Sequence, residues 1–357
     1  MRASVPTVVR PLLKWAGGKR QLLPVLAEHY PPTFSRYIEP FMGSAAVFFD
    51  LLNSGRLTRK AIVLADVNPD LIGCYRMLRD RPEAVIRALQ TLAREYRTGG
   101  TDAYYDVRDT RFNPLRAALQ ARASQPGDVA DMYTPGLAAM LIFLNRTGFN
   151  GLFRLNRQGG FNVPAGRYTN PRICDEAHLR SVARALASPG VSIVLQSFDR
   201  TLDDTGAGDF VYCDPPYAPL SRTSSFASYT AAGFAALDQQ RLLQAVLKAC
   251  RRGARVVMSN SSAPEIETAY QTRAARQVRI AVHRVPARRA INSRGSSRGP
   301  VDELIITNMP GPRSQPVDLL RGTRPTMVKV GLKATAGRVP ASPVPSSRTR
   351  RNERGAA

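Results

Sequence analysis

The sequence predicts an α/β protein in which a doubly wound, mostly parallel sheet receives a mainly helical insertion. The first observation is a rhythm of short apolar runs that alternate with helical patterns, as expected for strands joined by crossover helices. These runs are residues 37–38, 61–64, 192–195, 210–212, 255–258 and 304–306. The second is a change of pattern between residues 76 and 175, which are helical and rich in arginine and then rich in glycine and asparagine. The 357 residues suffice for one large domain with a smaller inserted one.

Four segments follow from this pattern. We expect residues 1–75 and 176–308 to form the two parts of the sheet domain, and residues 76–175 to form the insertion. Within the insertion, Gln158-Gly159-Gly160 separates two apolar runs and predicts a hairpin turn. Residues 309–357 are rich in Pro, Ser, Arg and Gly and have too little apolar surface to offset ordering, so we expect a disordered basic tail.

Two helices of the sheet domain have recognisable boundaries. In the first, Asn68 is the candidate cap and Pro69 suits the first turn. Its apolar face contains Leu71, Ile72, Tyr75 and Leu78. In the second, Asp238 is the candidate cap and Gly253 ends the helix. Its apolar stripe contains Leu242, Leu243, Val246, Leu247 and Cys250.

The composition indicates a polyanionic partner. Lys and Arg number 51 against 27 Asp and Glu, a net charge of +24, which favours nucleic acid. No apolar run is long enough to span a bilayer, and Pro6, Arg10 and Pro11 interrupt any secretory signal, so we expect a cytoplasmic protein with no membrane segment. The four cysteines and three histidines fit no metal-ligand spacing, so we expect no metal, and no obligate protein partner is evident.

Asp214-Pro215-Pro216-Tyr217 follows directly on the predicted strand that ends at Cys213. Ligands of an open parallel sheet bind beyond the carboxyl ends of its strands, where this tetrapeptide lies. The exocyclic amine of adenine is a weak nucleophile, because its lone pair is delocalised into the ring. Asp214 can accept one amino hydrogen and the Pro215 carbonyl the other, which directs the lone pair towards a methyl sulfonium, while Tyr217 can stack on an extruded base. A plain Asp-Pro surface turn is the alternative, which the preceding strand and the aromatic neighbour disfavour.

Two other strand ends suit a cofactor. In Glu39-Pro40-Phe41-Met42-Gly43, a strand enters a glycine turn, and Glu39, Phe41 and Gly43 are candidate cofactor contacts because bare backbone can approach a ligand. Asp66 ends the next strand and suits ribose hydroxyls. A tight strand-to-helix turn, or an acid at a helix start, explains these residues equally well. Ala45 stands where a second turn glycine is expected, which puts the turn geometry in question.

Residues 13–20 read Leu-Lys-Trp-Ala-Gly-Gly-Lys-Arg and contain the only tryptophan of the chain. Trp15 can wall an apolar cofactor pocket, Gly17 and Gly18 allow close backbone approach, and Lys19 supplies a cation for a carboxylate or phosphate. For Trp15 taken alone, a structural anchor in the core is the more common role.

Five segments together resemble the Dam-like D12 class of DNA adenine-N6 methyltransferases, in the order of that family. They are KWAGGK, EPFMGSAAVFF, LADVNPDLI, LNRTGFNGLFRLNRQGGFNVPAGRY and DPPY, and the resemblance covers roughly residues 10–308. It implies a Rossmann-like methyltransferase fold, S-adenosylmethionine as methyl donor, and double-stranded DNA as substrate. Residues 1–75 and 176–308 would form the catalytic domain, and residues 76–175 a target-recognition domain with a DNA-reading hairpin.

The resemblance also implies roles for single residues. Trp15, Lys19, Asp66 and Asp214 match the S-adenosylmethionine contacts of the family. A second set matches its DNA contacts: Lys14, Phe149, Asn150, Leu152, Arg154 and Pro164.

Within the second set, Phe149 and Asn150 would lie near the space vacated by the flipped base, and Leu152 and Arg154 would face base edges. Pro164 would press on those edges, and Lys14 would approach a guanine. These matches make GATC the expected site. Scattered arginines such as Arg146 and Arg167 are expected to meet phosphate.

Two alternatives remain open. Related Pro-Pro-Tyr sites methylate other planar nitrogens, such as those of an RNA base or a protein glutamine, although KWAGGK and the Asn-rich hairpin argue against this. A non-catalytic nucleic-acid-binding protein on a decayed methyltransferase fold is the other alternative, against which the intact Asp214 and Tyr217 argue. The sequence leaves open whether the chain belongs to a restriction-modification pair or acts alone.

Overall fold

The computed structural model describes residues 8–15, 19–124, 126–217, 234–288 and 300–310. Seven strands form one sheet: β1 (Arg36–Glu39), β2 (Ala61–Asp66), β3 (Val191–Leu195), β4 (Asp209–Cys213), β5 (Arg255–Ser261), β6 (Ala281–Arg288) and β7 (Pro300–Thr307). Their order is β3-β2-β1-β4-β5-β7-β6. Neighbours from β3 to β5 are parallel, whereas β7 is antiparallel to β5 and β6. The predicted doubly wound, mostly parallel α/β class is confirmed.

The strand order reverses between β1 and β4. From β1 the chain continues to β2 and β3 on one side, whereas β4 and β5 lie on the other side. In a doubly wound sheet this reversal opens a crevice at the carboxyl ends of the two central strands, which is the usual position of a ligand. Glu39 ends β1 and Asp214 follows β4, so both lie at this crevice.

All six predicted apolar runs lie in strands, but β6 was not predicted. This strand contains Arg284 and Pro286 among its valines, which breaks the apolar pattern that marked the others. Proline is tolerated at this position because β6 is the last strand in the sheet order, and an edge strand has a free backbone side.

The helices cover both faces of the sheet and form the insertion. They are α1 (Leu23–Ala27), α2 (Ala46–Asn53), α3 (Pro69–Asp80), α4 (Pro82–Tyr105), α5 (Asn113–Arg122), α6 (Pro126–Asp131), α7 (Pro135–Thr147), α8 (Glu176–Leu186), α9 (Phe198–Leu202), α10 (Ala236–Arg251), α11 (Pro264–Tyr270) and α12 (Arg273–Gln277). A π-helical segment, Asp106–Phe112, joins α4 to α5, and short 3₁₀ turns lie at Lys19–Gln21 and Phe149–Gly151. No helix in the described ranges is long and apolar enough to cross a membrane.

The predicted start of α3 is confirmed, and that of α10 is wrong. The Asn68 side chain accepts the backbone N–H groups of Asp70 and Leu71, at 3.0 and 3.2 Å. α10 begins at Ala236 rather than after Asp238, and the Asp238 carboxylate instead accepts the backbone N–H of Ala235 at 2.9 Å. An acidic side chain in the first turn can accept the backbone N–H of the cap residue, so the pattern predicted the right turn of the helix but the wrong cap residue.

The insertion and one face of the sheet share a continuous core. The buried cluster extends from Tyr37 and Ile62 of the sheet, through α3, to the almost wholly buried α7 and to Phe161. A second cluster packs α10 and α11 on the opposite face of the sheet. The domain boundary predicted after residue 75 falls inside α3, so we propose a boundary at Arg81, where the backbone leaves the helical conformation. The predicted tail lies outside the described residues from position 311 onwards.

Candidate active site

Asp214 is the centre of a polar network at the carboxyl end of β4. Its Oδ1 lies 3.0 Å from the Nζ of Lys19 and also accepts a hydrogen bond from the Ser259 hydroxyl at 3.0 Å. The Lys19 side chain is only 3% exposed, so its charge is neutralised inside the site. Ser259 belongs to β5 and is held in turn by the Tyr212 hydroxyl, at 2.9 Å. The carboxylate therefore has a fixed orientation before any ligand arrives.

Tyr217 is tied to the same network through its hydroxyl. Lys19 Nζ donates to the Tyr217 hydroxyl at 2.6 Å, and this hydroxyl donates to Glu303 Oε2 at 2.6 Å. Glu303 Oε2 also lies 3.6 Å from Lys19 Nζ, so Asp214 and Glu303 share one ammonium group. Because its hydroxyl is anchored and its ring centroid lies 4.3 Å from Lys19 Nζ, the half-buried ring of Tyr217 is held in place next to this lysine. Neither Ser259 nor Glu303 was predicted from the sequence.

The Pro-Pro turn is braced from α10. Gln239 Nε2 donates to the Pro216 carbonyl at 3.2 Å and its Oε1 accepts from Asn260 Nδ2 at 3.3 Å. The contact is made with Pro216 and not with Pro215, whose carbonyl is the predicted substrate acceptor. Proline fixes φ and has no N–H, so two consecutive prolines stiffen the segment that aims these acceptors.

The crevice concentrates carboxyl groups. Burial raises the pKa of Asp214, and the Lys19 ammonium acts in the opposite direction. Burial also raises the pKa of Glu39 well above its ordinary value; the Tyr37 hydroxyl, which donates to it at 2.9 Å, opposes this, while the charge of Asp214 adds to it. Glu39 is buried at the end of β1, where its carboxyl group interacts with those of Asp214 and Asp66. Carboxyl groups gathered around one lysine favour a positively charged ligand.

Gly43, Asp66 and Trp15 meet at the turn after β1. The Gly43 N–H donates to Asp66 Oδ2 at 3.0 Å, and the Asn68 N–H donates to Asp66 Oδ1 at 3.0 Å. A Cβ atom at Gly43, which has φ +45°, would lie 3.0 Å from Trp15 Cδ1. The indole therefore packs directly on the bare glycine turn, and Asp66 links this turn to the start of α3. Gly17 and Gly18 lie outside the described residues.

Ala45 stands in the turn after β1 at the position where the sequence led us to expect a second glycine. Its backbone is left-handed, with φ +55° and ψ +38°, immediately before α2. Only glycine adopts this conformation without steric cost, and alanine in it costs about 1 to 2 kcal/mol. The turn thus keeps the geometry that a glycine would give, with strain held by the surrounding buried core.

Aromatic rings line the crevice beside this turn. Phe41 stacks on Phe198 with ring centroids 5.4 Å apart, and its edge meets Phe234 at 5.9 Å. Trp15 stacks on Phe153 of the insertion at 5.5 Å. Phe198 was not predicted, although an aromatic residue three positions after β3 is a signal of the same kind as Phe41 after β1.

Lys14 is joined to the insertion by Asn145, another residue that was not predicted. The Lys14 N–H donates to Asn145 Oδ1 at 2.8 Å, while Asn145 Nδ2 donates to the carbonyls of Lys14 at 2.7 Å and Gly151 at 2.8 Å. Lys14 Nζ lies 3.3 Å from the Tyr168 hydroxyl. One buried amide therefore joins the segment that leads to Trp15 to the turn at Phe149–Gly151.

The predicted hairpin is present, with an antiparallel bridge between Leu155 and Phe161 and a left-handed Gly159 in its turn. On this hairpin, Arg154 is exposed, and its guanidinium donates to the side chain of Asn162 at 2.8 Å and to its carbonyl at 3.1 Å. Leu152 is half buried against the core.

The turn before the hairpin presents an apolar side chain to solvent. Phe149 is 46% exposed, and its N–H donates to the carbonyl of the exposed Pro164 at 2.9 Å. Asn150, next to it, has a left-handed backbone with φ +53° and is also exposed. Five of the six residues of the predicted DNA set are thus exposed, and the sixth, Leu152, is half buried.

The structure contradicts the phosphate contact expected of Arg146. This side chain turns inward and donates to the Leu12 carbonyl at 2.7 Å, and burial lowers its pKa. Arginine at the last turn of α7 satisfies a backbone group of the N-terminal segment, which sequence spacing alone does not reveal. Arg167 is exposed and stays a predicted phosphate contact.

The sheet order, the crevice at β1 and β4 and the Asp-Pro-Pro-Tyr turn within it define a Rossmann-like methyltransferase. Residues 15–291 match the family model of the D12 class N6 adenine-specific DNA methyltransferases, and the chain belongs to this family. It is therefore an enzyme of the adenine-specific DNA methyltransferase class.

Relatives with similar sequences cover most of the chain. It is 37% identical over 300 residues to the Type II methyltransferase M1.LlaDCHI of Lactococcus lactis subsp. cremoris, which covers 84% of this chain and 95% of the relative. It is 37% identical over 311 residues to the Type II methyltransferase M.MjaIII of Methanocaldococcus jannaschii, covering 84% and 99%. It is 34% identical over 308 residues to a DNA adenine methylase of Vibrio cholerae, covering 86% and 98%.

Proposed function

We propose that the chain transfers a methyl group from S-adenosylmethionine to N6 of an adenine flipped out of duplex DNA, with GATC as its site. The observation that supports this most strongly is the fixed carboxylate of Asp214 at the crevice between β1 and β4. Among the described residues, the Lys19 and Ser259 side chains both contact this carboxylate at Oδ1. We therefore assign Oδ2 to the target amine.

Asp214 and Pro215 prepare the amine for attack. When Oδ2 accepts one amino hydrogen and the Pro215 carbonyl accepts the other, the N6 lone pair loses conjugation with the ring and projects out of its plane. As the N–C bond forms, the bond between the methyl carbon and the sulfur of the donor breaks, and the positive charge passes to the nitrogen. The Asp214 carboxylate stabilises that charge until one N6 proton is released to solvent. Tyr217, anchored by Lys19 and Glu303, offers its ring to the flipped base.

The residues around the β1 turn fit S-adenosylmethionine, which when bound supplies a methyl group on a positively charged sulfur. Gly43 leaves the backbone bare beside Trp15, and Asp66 ends β2 where an acid suits ribose hydroxyls. Phe41 offers an aromatic face to an adenine ring. The carboxylates around Lys19 match the charge of a sulfonium.

The exposed surface around the hairpin supports duplex DNA as the substrate. An exposed phenylalanine beside a left-handed asparagine is suited to fill the space that a flipped base leaves, and Phe149 and Asn150 have this arrangement. The Arg154 fork suits a guanine edge, worth about 1 to 3 kcal/mol of discrimination. The choice of GATC rests on the match of Lys14, Leu152, Arg154 and Pro164 to the family pattern.

The test is transfer of labelled methyl from S-adenosylmethionine to duplex DNA by the purified chain, with RNA and protein acceptors in parallel. The proposal expects N6-methyladenine in duplex DNA, and a set of duplexes with single base-pair changes identifies the site. Transfer to RNA or protein alone would favour methylation of another planar nitrogen, and DNA binding without any transfer would favour a non-catalytic protein.

We place the enzyme on DNA in the cytoplasm of a bacterial, archaeal or phage-infected cell.

A further inference from the structure

The two arms of the hairpin pair over only a short distance. Antiparallel bridges join Leu155 with Phe161 near the turn and Gly148 with Ala165 at the base, and backbone hydrogen bonds run from Asn156 N–H to the Gly160 carbonyl at 2.8 Å and from Asn162 N–H to the Arg154 carbonyl at 3.1 Å. A two-stranded hairpin of this size is at best marginally stable in water. The position of Arg154 therefore depends on what holds the hairpin from outside.

The first turn of α5 holds it at two points. Asn113 Nδ2 donates to the Phe161 carbonyl at 3.0 Å, and Asn113 Oδ1 accepts the Phe161 N–H at 2.9 Å, so one side-chain amide pairs with both backbone groups as a neighbouring strand would. Arg116, one helical turn later, donates to the carbonyl of Gly159 in the hairpin turn. Phe161 itself is buried and its ring meets Phe112 at 5.8 Å.

Arg116 is also joined to the sheet domain. Its Nε lies 2.7 Å from Asp70 Oδ2, and the side chains are 4% and 1% exposed, so this is a buried ion pair. Asp70 lies in the first turn of α3, where its N–H donates to Asn68, whose own N–H donates to Asp66. Hydrogen bonds thus run without a break from the turn beside Gly43 to the tip of the hairpin.

We propose that Asn113 and Arg116 are positioning residues that determine site specificity, because they hold the hairpin in register with the methyl-transfer crevice. This rests on the proposed function of the hairpin as the DNA reader. Arg154 precedes the bridge residue Leu155, and its fork is oriented by Asn162 beside Phe161. A displacement of Phe161 therefore misaligns the two parallel hydrogen bonds that a guanine edge requires.

The test uses Asn113→Ala and Arg116→Lys in the full chain, with Gln120→Ala and Arg122→Lys, at exposed positions of the same helix, as matched controls. Arg116→Lys keeps a cation beside Asp70, which avoids leaving a buried charge unpaired. Two readouts are needed. One is hydrogen exchange of the amides of residues 152–163 in the free protein, and the other is the ratio of kcat/KM on the cognate duplex to that on duplexes with one altered base pair.

We expect the hairpin amides of Asn113→Ala and Arg116→Lys to exchange about tenfold faster or more than those of the wild type. We also expect both variants to lower the ratio of kcat/KM on the cognate duplex to that on altered duplexes at least about fivefold. Binding of S-adenosylhomocysteine should stay within about twofold of wild type, and the controls should match wild type throughout. An unchanged ratio despite faster exchange, or unchanged exchange, overturns the proposal. A wild-type chain that is inactive on duplex DNA refutes the proposed function instead, and hydrogen exchange still decides whether Asn113 and Arg116 hold the hairpin.

Discussion

Asp214→Asn separates the chemical role of the carboxylate from its structural role. The amide oxygen can keep the position of Oδ1 beside Lys19 and Ser259, which places the amide N–H₂ where Oδ2 now lies. A donor would then face the donor hydrogens of the target amine. Loss of one such transition-state contact typically lowers the rate by about 10²- to 10³-fold, or about 2.7 to 4 kcal/mol.

The same substitution should cost less in folding. Lys19 keeps the Tyr217 hydroxyl at 2.6 Å and Glu303 at 3.6 Å, so its ammonium is not left without a partner. We expect the free energy of unfolding to fall by no more than about 1.5 to 3 kcal/mol. Single-turnover transfer of labelled methyl measures the rate of the chemical step. Retention of duplex DNA measures DNA binding, and thermal unfolding measures stability. Asp203→Asn, at an exposed acid, is the control. A variant that transfers methyl within about threefold of the wild-type rate would refute the role given to Asp214.

Three further predictions follow from the same structure. Protonation turns the Asp214 carboxylate from a hydrogen-bond acceptor into a donor, so kcat/KM should fall as the pH is lowered. Because burial raises the pKa of Asp214, this fall should occur at a higher pH than for an ordinary aspartate, which has a pKa of about 3.9. Lys19 acts to lower that pKa, so Lys19→Met should move the acid limb to still higher pH; a limb that stays in place would exclude Asp214 as its origin. Ala45→Gly should relieve the left-handed strain by about 0.5 to 1 kcal/mol after the entropy of glycine is subtracted, and raise Tm by about 1 to 2 °C, whereas a lower Tm would contradict the strain. Deletion of residues 311–357, which hold ten basic and two acidic residues, should preserve transfer and flatten the salt dependence of DNA binding, and loss of folding would refute the expected disorder of this segment.

Periodicity and local chemistry predicted most of the sheet domain. Apolar runs of a few residues located the strands around the crevice, and Asn68 with Pro69 located the start of α3, because these signals depend only on neighbouring residues. β6 escaped because an edge strand does not need an apolar pattern on both faces. The position of Asp238 was misread because an acid stabilises a helix start from the cap and from the first turn alike.

The partners of the site residues were beyond sequence reasoning. Ser259 reaches Asp214 across 45 positions, Glu303 reaches Tyr217 across 86, and Asn145 reaches Lys14 across 131. Each is a common polar residue whose role arises only when the fold brings distant segments of the chain together. The inward orientation of Arg146 could not be predicted for a similar reason. Its acceptor is the backbone carbonyl of Leu12, and every residue has a backbone carbonyl, so the sequence does not indicate which one is used.

A structure of the chain with cognate duplex DNA and S-adenosylhomocysteine tests the central claim most directly. We predict that the target adenine is flipped, with N6 within about 3.2 Å of both Asp214 Oδ2 and the Pro215 carbonyl oxygen, and with Lys19 and Ser259 still on Oδ1. A bound adenine whose N6 lies away from Asp214, or a duplex held with the base still stacked against an ordered crevice, would contradict it.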